Sequence, residues 1–93
     1  MEIELRFFAT VREAVGERTE TRRFDPETTV GDVLGDLERR NPSLAGRLLG
    51  EDGTVSRSIT VMRNGRNVTH HDGANTELTD GDSLSITPPV TGG

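Results

Sequence analysis

The chain predicts an α+β domain: a mixed sheet of about five strands with one main helix packed on one face. Three observations predict it. The N-terminal stretch Glu2–Phe8 alternates charged and apolar residues. One segment, from Val30 to about Asn41, repeats its apolar residues at helical spacing. Three further short strand patterns follow, separated by strong turn signals.

In order along the chain, Ile3, Leu5 and Phe7 alternate with Glu2, Glu4 and Arg6, the period of a strand with one buried face. Ala9 to Val15 forms a short helical turn, with Thr10 as its expected cap and Gly16 as its end. Thr19 to Phe24 has few apolar residues and reads as an edge strand, closed by Asp25-Pro26. In the main helix Thr29 is the expected N-cap and Asp32 occupies the capping-box position. Val30, Val33, Leu34 and Leu37 form one apolar stripe at i, i+3, i+4 and i+7. Arg39 and Arg40 complement the helix dipole in the last turn, and Asn41-Pro42 stops the helix. Leu44, Leu48 and Leu49 predict a short second helix ending near Gly50, with a loop at Glu51-Asp52-Gly53. Ser58 to Arg63 is a strand, Asn64-Gly65 a hairpin turn, and Arg66 to Thr69 the returning strand. After the polar stretch 70–77, Leu78 to Asp82 turns into the last strand, Ser83–Thr87, with Leu84 and Ile86 inward. Strand, strand, helix and three strands are buried economically by the β-grasp (ubiquitin-like) arrangement, whose first and last strands lie side by side at the sheet centre.

Two units follow: a β-grasp domain over residues 1–87 and an extended tail over 88–93. The tail, Pro88-Pro89-Val90-Thr91-Gly92-Gly93, organises the functional reading. A terminal carboxyl group titrates near ~3.3–3.7, so at neutral pH it is ionised and a poor electrophile until activated, for example as an acyl-adenylate. A segment threaded into an activating site must be thin. Gly92 and Gly93 carry no Cβ, and Pro88 and Pro89 stiffen the exit in an extended form. Six residues span at most roughly 20 Å, enough to clear a globular body.

Composition bounds the alternatives. Ninety-three residues suit one domain. Hydrophobic residues make up 30% and aromatics 3%, so the core is small and aliphatic. With no cysteine, the chain has no disulfide, thiolate metal site or Cys nucleophile, and any thiol belongs to a partner. No apolar run approaches spanning length and no signal peptide opens the chain, so a cytoplasmic location and no membrane partner are expected. The net charge of −5 argues against nucleic-acid binding and favours a partner with a basic docking surface. All eleven basic residues are Arg. Acidic, lysine-poor composition also fits adaptation to high salt, with a salt-loving archaeon as the expected source.

Other candidate chemistry is weak. His70 and His71, as strand neighbours, point to opposite faces, and no metal site is expected. Asp72, Asp80 and Asp82 lack calcium-loop spacing. Gly31 and Gly35 make no phosphate loop, so ATP must be held by a partner and no cofactor by this chain. Glu51 and Asp52 read as a solvated turn. No self-contained catalytic constellation is present, and no enzyme is expected.

Leu5-Arg-Phe-Phe-Ala-Thr-Val-Arg-Glu-Ala-Val-Gly16, Thr29-Val-Gly-Asp-Val-Leu34, Val61-Met-Arg-Asn-Gly65, Leu78-Thr-Asp-Gly-Asp82 and the Pro-Pro-Val-Thr-Gly-Gly end together resemble one family over essentially the whole chain. It is the ubiquitin-like sulfur carriers, typified by the small subunit of molybdopterin synthase, and the small archaeal modifier proteins are similar. The resemblance implies that an E1-like enzyme, using ATP, adenylates the terminal Gly. The carboxyl is then linked to lysines of target proteins by an isopeptide bond. Alternatively it becomes a thiocarboxylate for molybdopterin synthesis or tRNA thiolation, with the large subunit of molybdopterin synthase as a further partner. One protein can serve both roles, and a noncovalent ubiquitin-like adaptor is the third reading; the chain is expected to be a monomer when free. The reacting residue maps to Gly93, with Gly92, Thr91, Val90, Pro89 and Pro88 as the threaded segment. The family also docks partners through an apolar sheet surface, for which Phe8, Val61 and Met62 are the candidates. Thr87 departs from the pattern, since relatives carry a larger apolar residue there.

Overall fold

The computed structural model describes residues 1–70 and 72–89. Five strands form one sheet in the order β2-β1-β5-β3-β4. They are β1 (Glu2–Phe7), β2 (Thr19–Arg23), β3 (Thr60–Arg63), β4 (Arg66–Asn67) and β5 (Ser83–Thr87). Two helices, α1 (Ala9–Val15) and α2 (Val30–Arg40), complete the fold. β1 and β5 pair in parallel, with Leu5 opposite Leu84 and Phe7 opposite Ile86. All other pairings are antiparallel. This is the β-grasp architecture that the alternation and helix patterns predict.

Alternation places Ile3, Leu5 and Phe7 of β1, Leu84 and Ile86 of β5 and Val61 of β3 on one face, all fully buried. The stripe Val30, Val33, Leu34 and Leu37 of α2 is equally buried in the same core. Each such side chain contributes about 1.5–3 kcal/mol over an exposed one. α2 begins on the expected capping box: Thr29 Oγ1 accepts from Asp32 N (3.2 Å) and Asp32 Oδ2 accepts from Thr29 N (3.0 Å). Asn41 ends it by donating through both N and Nδ2 to Leu37 O.

Four local expectations are corrected. Thr10 does not cap α1; Phe8 holds the N-cap position with an extended backbone and no side-chain cap. The second helix near Leu44–Leu49 is a single 3-10 turn, Pro42–Leu44. Gly46, at φ +75°, breaks helical geometry, and the amides of Leu48 and Leu49 donate to Glu38 Oε2 instead of to a helical carbonyl. β3 starts at Thr60, because Ser56 Oγ accepts from Ser58 N and holds the preceding turn. β4 ends at Asn67, whose Oδ1 accepts from both N and Oγ1 of Thr69 and turns the chain out of the sheet. The Asn64-Gly65 turn has positive φ at both residues, as a tight hairpin with native twist requires. Among the described residues, no helix is long and apolar enough to cross a membrane.

Candidate functional site

The parallel pairing of β1 with β5 brings the ends of both strands to the same side of the sheet. β5 is hydrogen-bonded on both flanks, with Ile86 between Phe7 and Val61 and Thr87 opposite Thr60. Phe8 N adds one further bond to Ile86 O at 3.2 Å. The segment beyond Thr87 therefore leaves from a strand paired on both sides. Thr87 Oγ1 donates to Pro88 O (2.8 Å), Pro88 is half-buried and Pro89 is exposed. The remaining expected tail residues, Val90, Thr91, Gly92 and Gly93, lie outside the described residues.

Phe8 sits beside this root. It is the exposed large hydrophobic among the described residues, with 39% of its surface open. The Arg12 guanidinium lies over its ring, 5.6 Å from the centroid, a cation–π arrangement. Arg12 Nε also donates to Phe7 O at 3.1 Å, which fixes the guanidinium there. Sequence reading missed Arg12, although its i, i+4 spacing from Phe8 in a helical turn was the available signal. Between them Ala9 takes φ +50°, a left-handed conformation that disfavours a side chain by roughly 1–2 kcal/mol. The carbonyl of Phe8 accepts from the amides of Val11 and Arg12 and locks that reversal.

The other docking candidates divide. Val61 is wholly buried between β5 and the helix layer and belongs to the core, so its place among the docking residues is corrected. Met62 is half-buried on the opposite face, opposite Ser85 and Asn67. That outer face also carries Ser83, Thr87, Thr60, Glu4 and Arg6 by register. It is a hydroxyl-rich and charged surface, not the apolar one that the family resemblance implied.

Three loop aspartates, Asp82, Asp80 and Asp52, are taken up by local hydrogen bonds. Asp82, nearly buried, accepts from Arg63 Nε (2.7 Å), Thr79 N (2.8 Å) and Asn64 Nδ2 (2.9 Å). Burial pushes its carboxyl up, but those bonds and the Arg63 charge outweigh it and hold the group below the usual carboxylate range. Asp80 Oδ1 accepts from Glu2 N. Asp52 is held low by the hydroxyl and amide of Thr54, as befits a solvated turn. His71 and the His70 side chain lie outside the described residues.

Comparison with known proteins agrees with this geometry. The ThiS family model matches residues 5–93. The chain is 55% identical to small archaeal modifier protein 3 of Haloferax volcanii over 93 residues, the whole of both chains. Its fold is similar to the crystal structure of small archaeal modifier protein 1 from the same organism, with a TM-score of 0.80 at 35% identity over the whole of both chains. It is also 34% identical to the sulfur carrier protein CysO of Mycobacterium tuberculosis over 67 residues, 70% of this chain and 72% of the relative.

Proposed function

The chain belongs to the ThiS family, and from that premise we propose that it is a ubiquitin-like protein modifier whose Gly93 carboxylate is activated by an E1-like enzyme and joined to lysines of target proteins. One observation carries the reading. The central strand β5, paired on both sides, ends at Thr87 and continues in sequence as Pro-Pro-Val-Thr-Gly-Gly. A rigid strand positions the body, and a thin segment delivers the carboxylate. In activation a carboxylate oxygen attacks the α-phosphorus of ATP and pyrophosphate leaves. A lysine amine then attacks the acyl carbon, AMP departs, the nitrogen loses a proton and an isopeptide bond remains. The chain supplies the carboxylate and no catalytic group; ATP and any thiol belong to the activating enzyme, and the work is cytoplasmic. Phe8, backed by Arg12, is the anchor that seats this enzyme beside the tail.

The likeness to the sulfur carrier CysO supports a second use of the same adenylate. Hydrosulfide supplied by a partner attacks the acyl carbon, AMP departs, and loss of the S–H proton leaves a thiocarboxylate, the donor form for molybdopterin synthesis or tRNA thiolation. Both uses need Gly93, so one experiment tests their common step. ATP–pyrophosphate exchange with the cognate activating enzyme is expected with the native chain and lost on deletion of Gly93, which draws the carboxylate back by about 3.3–3.6 Å. A folded deletion variant that exchanges like the native chain overturns the reading and leaves the noncovalent adaptor in its place.

A further inference from the structure

The chain leaves the sheet through a joint whose torsions are fixed one after another. Phe8 N donates to Ile86 O (3.2 Å), and Thr87 pairs with Thr60 of β3. Beyond them Pro88 and Pro89 have no N–H, so neither can extend the ladder by donating. Each proline ring holds its own φ near about −65°. Each also confines ψ of the residue before it to the extended range, roughly +120° to +160°. Thr87 and Pro88 both stand before a proline. Thr87 is held further by its pairing in β5, whereas Pro88 lies past the ladder. The loosest torsion in the joint is then ψ of Pro88, open over about 40°.

Thr87 narrows that window. Its Oγ1 donates to Pro88 O at 2.8 Å, the distance of a good O–H···O bond. Rotation about the Cα–C bond of Pro88 carries this carbonyl oxygen around, so a bond to the oxygen sets ψ. Pro88 is half-buried and Pro89 exposed, which puts the bond where the chain passes from sheet to solvent. An apolar side chain at position 87, the family pattern from which this sequence departs, offers no such donor. The leverage is long. Gly93 lies five residues beyond Pro88. Five residues reach at most roughly 17 Å, so a swing of about 20° at Pro88 moves that reach by about 6 Å.

We infer, resting on the reading that Gly93 is activated, that Thr87 is a positioning residue for that activation: its hydroxyl sets ψ of Pro88 and so aims the tail before an activating enzyme is met. Thr87 touches neither ATP nor the reacting carbon. Its effect falls on what binding must order. With the hydroxyl, the root is already ordered in the free chain. Without it, the enzyme's groove must pick one root geometry from a wider set, and the cost appears in affinity. Once the tail is seated, the groove imposes the same geometry on either form, so turnover of the bound complex is unchanged.

The test is steady-state ATP–pyrophosphate exchange with the cognate activating enzyme, varying the concentration of the full chain. Thr87→Val keeps the β-branched shape and removes the donor, and it should raise KM roughly threefold or more with kcat unchanged. Thr87→Ala, a second variant without a donor, should do the same. Thr87→Ser keeps the donor and should hold KM near the native value. Pro89→Ala lifts the restriction that a following proline places on Pro88, so the hydroxyl then holds ψ alone. In that background Thr87→Val should cost more than it does in the native chain. In the native chain, three-bond NMR couplings to Cγ2 of Thr87 should report a single χ1 rotamer, the one that turns Oγ1 toward Pro88 O. An unchanged KM for Thr87→Val, a defect in Thr87→Ser as large as in Thr87→Val, or a fall in kcat at native KM overturns the inference. So do averaged couplings at Thr87. Equal costs with and without Pro89 overturn it too, because they mark a direct contact of Thr87 with the enzyme. All these outcomes leave activation itself standing, whereas exchange that survives deletion of Gly93 removes the activation reading and this role with it.

Discussion

Replacing Asp82 with Ala removes the acceptor that joins the β3–β4 turn to the start of β5. Its side chain is 7% exposed and takes three hydrogen bonds, from Arg63, Asn64 and Thr79. Each bond to a charged group contributes about 1.5–3 kcal/mol, but the three are not additive. Arg63, 34% exposed, regains water once its partner is gone, whereas Thr79 N–H is left without its acceptor. A net loss of about 3 kcal/mol follows. At a urea slope of about 1–1.5 kcal/mol/M for a domain of this size, the midpoint falls by about 2–3 M. Circular dichroism is the assay, since the chain has neither Trp nor Tyr to report by fluorescence. The carboxyl is held below 3.8 in the fold, so its contribution is complete above that value and is lost as pH falls through the lower folded one. The gap between wild type and Asp82→Asn should therefore be widest at neutral pH and narrow in acid. A midpoint change under about 0.5 M, or a gap that stays constant from neutral pH into strong acid, refutes the reasoning.

Leu37→Ala, in the fully buried α2 stripe, should cost about 2–5 kcal/mol; a urea midpoint equal to wild type would contradict that packing. Gly92→Val should impair pyrophosphate exchange while the circular dichroism spectrum stays native, because a β-branched side chain narrows both backbone freedom and clearance. Phe8→Ala should weaken binding of the activating enzyme by about tenfold or more, read by calorimetry, with little change in melting temperature. The sequence has no lysine, so mass spectrometry should find the C-terminal peptide of this chain branched onto target lysines and never onto a side chain of this chain.

Most of the sheet was legible because its strands obey two-residue alternation around one apolar face. Ile3, Leu5 and Phe7, like Leu84 and Ile86, sit where that period puts them. α2 was legible to its cap, since Thr29 and Asp32 act locally. The misses have non-local causes. Leu44, Leu48 and Leu49 look helical by spacing, but a carboxylate ten residues upstream, on Glu38, takes the amides of the last two. Val61 looked as available as Met62 until register showed which faces the helix. The docking face was read from the family and proved polar, because Ser83, Ser85 and Thr87 occupy the outward positions of β5. β2 was legible as an edge strand from its few apolar residues, whereas its ion pairs with α2, Arg40 to Glu20 and Arg22 to Asp36, appear only in the fold.

The parallel contact of β1 with β5 joins residues about as far apart along the chain as this length allows, Glu4 with Ser83. Contacts of such separation slow folding, because the whole intervening chain must be ordered before they form. During synthesis Ile3, Leu5 and Phe7 have no partner on that side until the last strand has left the ribosome. The sheet centre therefore closes only once β5 has been made. A product lacking β5 leaves the flanks of β1 and β3 unpaired and the apolar residues Leu5, Phe7 and Val61 without their neighbours Leu84 and Ile86. Topology makes synthesis of β5 a condition of closing the sheet centre.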